Sequence, residues 1–127
     1  MKEKTTQLVD RLLDLPKLIE DFQTKALAVN DAVQETSELI VSRESEIKSE
    51  INAATDENGK KLYSNEESRK IAFLADSKED STLTHLYSKM KELNHQVSII
   101  RIAIESYSNE QRNIRSILGV INSISES

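Results

Sequence analysis

From Leu83 to Ile121, apolar residues recur at steps that alternate three and four without a slip. The positions are Leu83, Leu86, Met90, Leu93, Val97, Ile100, Ile104, Tyr107, Gln111, Ile114, Leu118 and Ile121, and Gln111 alone is not apolar. An alternation this long draws one narrow stripe along an α-helix, the seam of a coiled coil. The spacing predicts a long helix over 81–122. With Leu83 at heptad position a, Gln111 also falls at a, where a polar side chain sets register or pairing at a cost in stability.

The first half repeats the pattern through Leu8, Leu12, Leu15, Ile19, Phe22, Ala26, Val29 and Val33. One row then continues through Ile40, Ile47 and Ala54, while the other becomes Thr36, Arg43 and Glu50. A helix over about 3–54 is predicted, kinked or broken at Pro16, which lacks a backbone donor and crowds the preceding turn. The heptad phase is nevertheless the same on both sides of it.

Between the halves lies a polar turn, 55–63, built around Asn58-Gly59. Ser64 and Glu67 stand at the capping-box spacing, which predicts a short helix over 64–75 burying Ile71, Phe73 or Leu74. Asp76 to Ser81 reads as a second polar connection, with Asp80 or Ser81 capping the final helix.

The expected fold is all-α: an antiparallel coiled-coil hairpin of two long helices with a short connecting helix, in one domain. About 40 helical residues span roughly 60 Å. His95, Ile99 and Ile102 fall at f, c and f, opposite the seam, and Ile117, Val120 and Ile124 widen the stripe further on. A helix apolar on two faces packs on two sides. The hairpin is therefore expected to complete itself as a three- or four-helix bundle or as a dimer of hairpins. Composition points the same way, because only 37% of the chain is hydrophobic against about 45–50% in ordinary globular domains. Homo-oligomerisation and a protein partner are both expected.

Charge and motif content narrow the chemistry. A net charge of −5 argues against a general nucleic-acid binder, which needs clustered Lys and Arg. The chain has no cysteine, hence no disulfide or thiolate metal site. It has neither an apolar signal core at its start nor a window approaching the ~18 apolar residues of a membrane span. A cytoplasmic protein is expected. Asp56-x-Asn58-Gly59 resembles the start of a calcium loop, but with Gly59 as the sixth residue the first and twelfth positions are Ala54 and Asn65, so no metal site follows. Glu92-x-x-His95 occurs once, facing away from the seam, whereas di-iron bundles use two such pairs facing inward. There is no G-x-S-x-G and no phosphate-binding glycine loop, so neither catalytic residues nor a cofactor are expected.

Two basic groups remain. Arg101 and Arg115, both at e, are expected to pair with acids across the seam, with Arg112 nearby. Lys60 and Lys61 at the turn, with Arg69 and Lys70, form a second cluster and a candidate binding surface, as do His95, Ile99 and Ile102.

Asp56, Asn58, Gly59, Lys60, Tyr63, Ser64, Asn65, Glu66 and Arg69 together make a D-x-N-G-K-x-x-Y-S-N-E-x-x-R turn. That turn, the regular helix after it, and Arg112 and Arg115 near its end resemble small helical proteins of bacteriophages and prophages of Gram-positive bacteria. The resemblance covers roughly residues 45–118 and leaves out the first helix with Pro16. It implies a phage-borne accessory protein without catalytic residues, acting in the host cytoplasm. The expected function is non-enzymatic: gripping a phage or host factor of DNA metabolism or defence through a helical surface, and inhibiting or assisting it. A nucleic-acid-binding accessory using the basic turn and Arg101, Arg112 and Arg115, or a structural or scaffold component, is the alternative.

Overall fold

The computed structural model describes residues 2–126. Those residues form three helices and no strand: α1 (Lys2–Ala53), α2 (Glu66–Glu79) and α3 (Ser81–Glu126). Packing divides the chain into two units. One comprises the described residues of Met1–Asn30 and His95–Ser127, the other Asp31–Asn94.

In the Asp31–Asn94 unit all three helices contribute to one core. Ile47 and Ile51 of α1, Ala72 of α2 and Leu83 of α3 are buried together, with Ile40, Tyr63 and Phe73 packed against them. The α2 residue in this core is not one of the larger side chains expected there. Ile71 and Leu74 are 62% and 61% exposed, and Phe73 is half-buried. Ala72 takes the central place because a methyl group lets the α2 backbone approach its neighbours closely, with Phe73 filling the space beside it.

The ends of α2 also differ from the sequence reading. Asn65, not Ser64, is the N-cap. It is extended, its Oδ1 accepts from the Ser68 amide at 2.8 Å, and the Asn65 amide donates to Ser68 Oγ at 3.3 Å. This is a reciprocal capping box with Ser68 in the role expected of Glu67. The helix runs on to Glu79 rather than stopping at 75, because Asp76-Ser77-Lys78-Glu79 contains neither Gly nor Pro to break it. It stops at Asp80, whose extended backbone (φ −73°, ψ 114°) leads into α3.

The turn before α2 is a small hairpin. Asp56 Oδ1 accepts from the amides of Asn58 (2.9 Å) and Lys60 (3.0 Å), and Thr55 bridges Lys61. Gly59 adopts φ +80°, the left-handed region that a side chain disfavours.

α1 is not broken at Pro16, which lies inside one continuous helix. Proline withholds one hydrogen bond from the Leu12 carbonyl. Leu15 beside it is fully buried, and Leu12 and Ile19 are half-buried, so one packed stripe passes through the proline. The stripe holds its phase as far as Ile47. There the next buried residue is Ile51, while Glu50, the next position of the heptad series, is exposed. This one-residue slip turns an isoleucine toward the α2 core. Thr36 is 1% exposed and Arg43 half-buried, so the polar members of the row remain in the packed stripe. On α3, every position from Leu83 to Ile121 in the heptad series is buried or half-buried, Gln111 included.

In the other unit, Phe22 meets Tyr107 with ring centroids 5.7 Å apart, and Arg11 lies 5.6 Å from the centre of the Tyr107 ring. Arg11 also makes a bidentate pair with Glu110 at 2.7 and 3.0 Å. Tyr107 and Glu110 of α3 thus meet Phe22 and Arg11 of α1.

Two stability outcomes follow. Leu83→Ala is expected to cost about 2–5 kcal/mol in denaturant unfolding, as for other fully buried leucines, while Leu27→Ala, at a residue 68% exposed, is expected to change stability by less than about 0.5 kcal/mol. Among the described residues, the Ser77 hydroxyl is the one buried side-chain polar atom without a hydrogen-bond partner. Ser77→Ala removes that unmet desolvation cost and improves helix propensity, so it is expected to stabilise by about 1 kcal/mol in the same measurement.

Candidate interaction surface

A charged group with three side-chain hydrogen bonds sits where α2 passes into α3. Asp80 Oδ2 accepts from the Leu83 amide at 2.9 Å, which caps α3. The same carboxylate receives Arg43 of α1 in a bidentate pair, Nε at 3.2 Å and Nη2 at 2.7 Å, while Arg43 Nη1 reaches Glu46 at 2.8 Å. The side chains of Arg43 and Asp80 are only 28% and 15% exposed. The Arg43 guanidinium and the Leu83 amide hold the Asp80 carboxyl below its ordinary value, and the Asp80 and Glu46 carboxylates raise Arg43. Tyr87 donates to Glu44 at 2.8 Å. Burial first, and then Glu44, push its phenol up to about 12. These contacts tie α1 to the point where α2 passes into α3, so the junction reads as structural.

Beside that core lies an open groove of about 430 Å³ between the end of α1 and α2. Ile51, Phe73 and Leu74 give it an apolar lining, and Lys48, Arg69 and Lys70 stand around it with one acid, Glu66. Two contacts position the cations: Lys48 Nζ lies 4.9 Å from the centre of the Phe73 ring, and Arg69 Nη1 donates to the Tyr63 carbonyl at 3.4 Å. Lys70 is 4.0 Å from Glu66. Among the described residues, Lys48 and Arg69 form no ion pair.

The basic cluster read from the sequence is therefore divided. Arg69 and Lys70 line the groove, whereas Lys60 and Lys61 are exposed on the turn and do not. Lys48 does not stand out on the sequence, where it is one more polar residue of a long helix. Its spacing one turn before Ile51 was the available signal. His95, Ile99 and Ile102 lie on an exposed face of α3 within the other unit, with Ile99 50% and Ile102 62% exposed. Arg101 and Arg115 were expected to pair across the seam, yet among the described residues neither forms an ion pair. Arg112 donates to its own helix's Asn109. The inter-helix pairs come from α1 arginines instead, Arg11 and Arg43, because these lie within reach of Glu110 and Asp80.

Among the described residues no cluster of His, Asp or Glu is gathered to hold a metal ion, and no helix is long and apolar enough to cross a membrane. No family model, curated protein or solved structure matches the chain.

The lowered Asp80 carboxyl has a measurable consequence. A depressed folded-state value adds stability that is fully present above the ordinary value of 3.8 and is lost as pH falls through the lower folded one. Asp80→Asn is expected to lower stability near neutrality and to shrink the difference between unfolding curves taken at about pH 7 and about pH 3. An unchanged difference would mean that the carboxylate's charge does not couple to folding.

Proposed function

We propose that this chain is a non-enzymatic interaction protein that acts through exposed faces of its helices. The observation that carries this reading is the second apolar face of α3. Ile99 and Ile102 are half or more exposed although the seam on the same helix is packed, and Val120 and Ile124 are likewise 59% and 63% exposed. Apolar side chains gathered on a second helix face favour association, since burying them removes about 25 cal/mol per Å² from water.

In this reading α1 and α3 form an antiparallel coiled-coil hairpin that associates with a second copy, as a four-helix bundle or dimer of hairpins. The order of contacts supports the antiparallel arrangement. In one unit Arg11 meets Glu110 and Phe22 meets Tyr107, so positions rise on α1 as they fall on α3. The turn at residues 55–70 supports a phage-type accessory role, exercised on a protein of host or phage in the cytoplasm. That role is to inhibit or assist a factor of DNA metabolism or defence. The nucleic-acid alternative draws less support, because Lys60 and Lys61 stand apart from Arg69 and Lys70 and the chain carries a net charge of −5.

Sedimentation velocity over about a hundredfold range of concentration tests the reading. The wild type is expected to move from a lighter to a heavier species. Ile99→Glu with Ile102→Glu is expected to weaken association at least ~tenfold while leaving helicity unchanged. A strict monomer at every concentration would remove the self-association.

A further inference from the structure

We propose that the groove between the end of α1 and α2 is a docking site for an acidic amphipathic helix of a partner protein. The inference rests on the interaction-protein reading and names the partner's chemistry.

Geometry comes first. The groove has two helical walls, Lys48 to Asn52 on α1 and Glu66 to Leu74 on α2. Two neighbouring helices with a free third side form the seat into which the apolar face of another helix packs, read by side chains at i, i+3, i+4 and i+7. The seat is apolar at its floor, where Ile51 is 4% exposed, and still open at its lip, where Leu74 is 61% exposed. Partner side chains therefore meet hydrophobic surface already positioned by the Ile47, Ile51, Ala72 and Leu83 core.

Charge supplies the selectivity. The groove carries three cations and one acid on a chain whose net charge is −5. The one acid, Glu66, lies beside Lys70, while Lys48 and Arg69 are held by a ring face and a backbone carbonyl. Among the described residues neither of these two cations pairs with a carboxylate, so Asp or Glu flanking an apolar helix stripe completes them. A basic helix meets like charge at the same positions, which costs affinity and excludes it. Phosphate backbones lack the apolar stripe that the floor requires.

The test uses the full chain and two blocked synthetic helices of about 14 residues, with Leu at i, i+3, i+4 and i+7 and the remaining positions Glu and Ala in one, Lys and Ala in the other. Fluorescence anisotropy measures affinity, and amide chemical shifts locate the site. The acidic helix is expected to bind at least ~tenfold tighter than the basic one, and to weaken as salt rises. Shifts are expected to centre on Lys48, Ile51, Phe73 and Leu74. Lys48→Glu with Lys70→Glu, and separately Leu74→Glu, are each expected to lose at least ~tenfold in affinity, whereas Ile71→Ser, an exposed α2 position outside the groove, leaves it unchanged.

These variants lie at exposed positions, and circular dichroism verifies that each keeps its helices. Equal affinity for the two helices, no binding at about 1 mM, shifts centred elsewhere, or an unchanged Leu74→Glu variant would each overturn the assignment. Such a failure with self-association through Ile99 and Ile102 intact removes the groove alone. Loss of self-association with the groove still binding removes the dimer and leaves the groove.

Discussion

The bond between Arg43 and Asp80 has more of the Asp31–Asn94 unit depending on it than any other polar contact. Only one residue separates α2 from α3, so the direction of α3 is set at Asp80. Its backbone closes α2 through the Asp76 carbonyl, its carboxylate opens α3 at the Leu83 amide, and the same carboxylate takes two hydrogen bonds from α1. Charge-assisted bidentate pairs carry geometric specificity as well as energy. Here the specificity places Leu83, three residues on and fully buried, against Ile47, Ile51 and Ala72.

The same bond explains how α1 accommodates a row that stops being apolar. Thr36 and Arg43 occupy packed-stripe positions without a hydrophobic side chain. Thr36 is small enough to be buried, and Arg43 extends its head to carboxylates on two sides. Past Ile47 the buried stripe moves by one residue to Ile51. That slip places Ile51 in the core that α2 also enters through Ala72, and the groove lies between the same stretch of α1 and α2. The groove is thus a by-product of packing. A short helix that buries alanine at its centre leaves Leu74 outside, and the cations that line the groove with it come from both walls.

Much of the architecture could be read from the chain alone. Three helices separated by two polar stretches follow from the spacing of Leu, Ile and Val, from Asn58-Gly59, and from the capping residues, although the second stretch proved to be the single residue Asp80. The misplaced details had local competitors of nearly equal merit. Asn65 and Ser64 are both good N-caps, and Ser68 proved as able as Glu67 to close the box. The polar run after Ala75 resembled a linker because charge was read as exposure, although Lys and Glu are also good helix formers. Of the candidate surface, Arg69 and Lys70 were legible as charges, but their company was not: Lys48 joins them across the fold, and Lys60 and Lys61 fall away with the turn.

By itself the sequence determined what depends on near neighbours: helix content, the α3 stripe from Leu83 to Ile121, and the turn at Asn58-Gly59. Hydrophobic period, capping and turn geometry are short-range properties, and a chain carries them wherever it lies. The tertiary structure alone decided that Ala72 and not Ile71 or Leu74 would be central, that Arg43 and not Arg101 would find a carboxylate across helices, and that three cations would gather on an acidic chain. Each of those depends on which face of one helix meets another, and on distances between residues tens of positions apart. No local spacing encodes such distances.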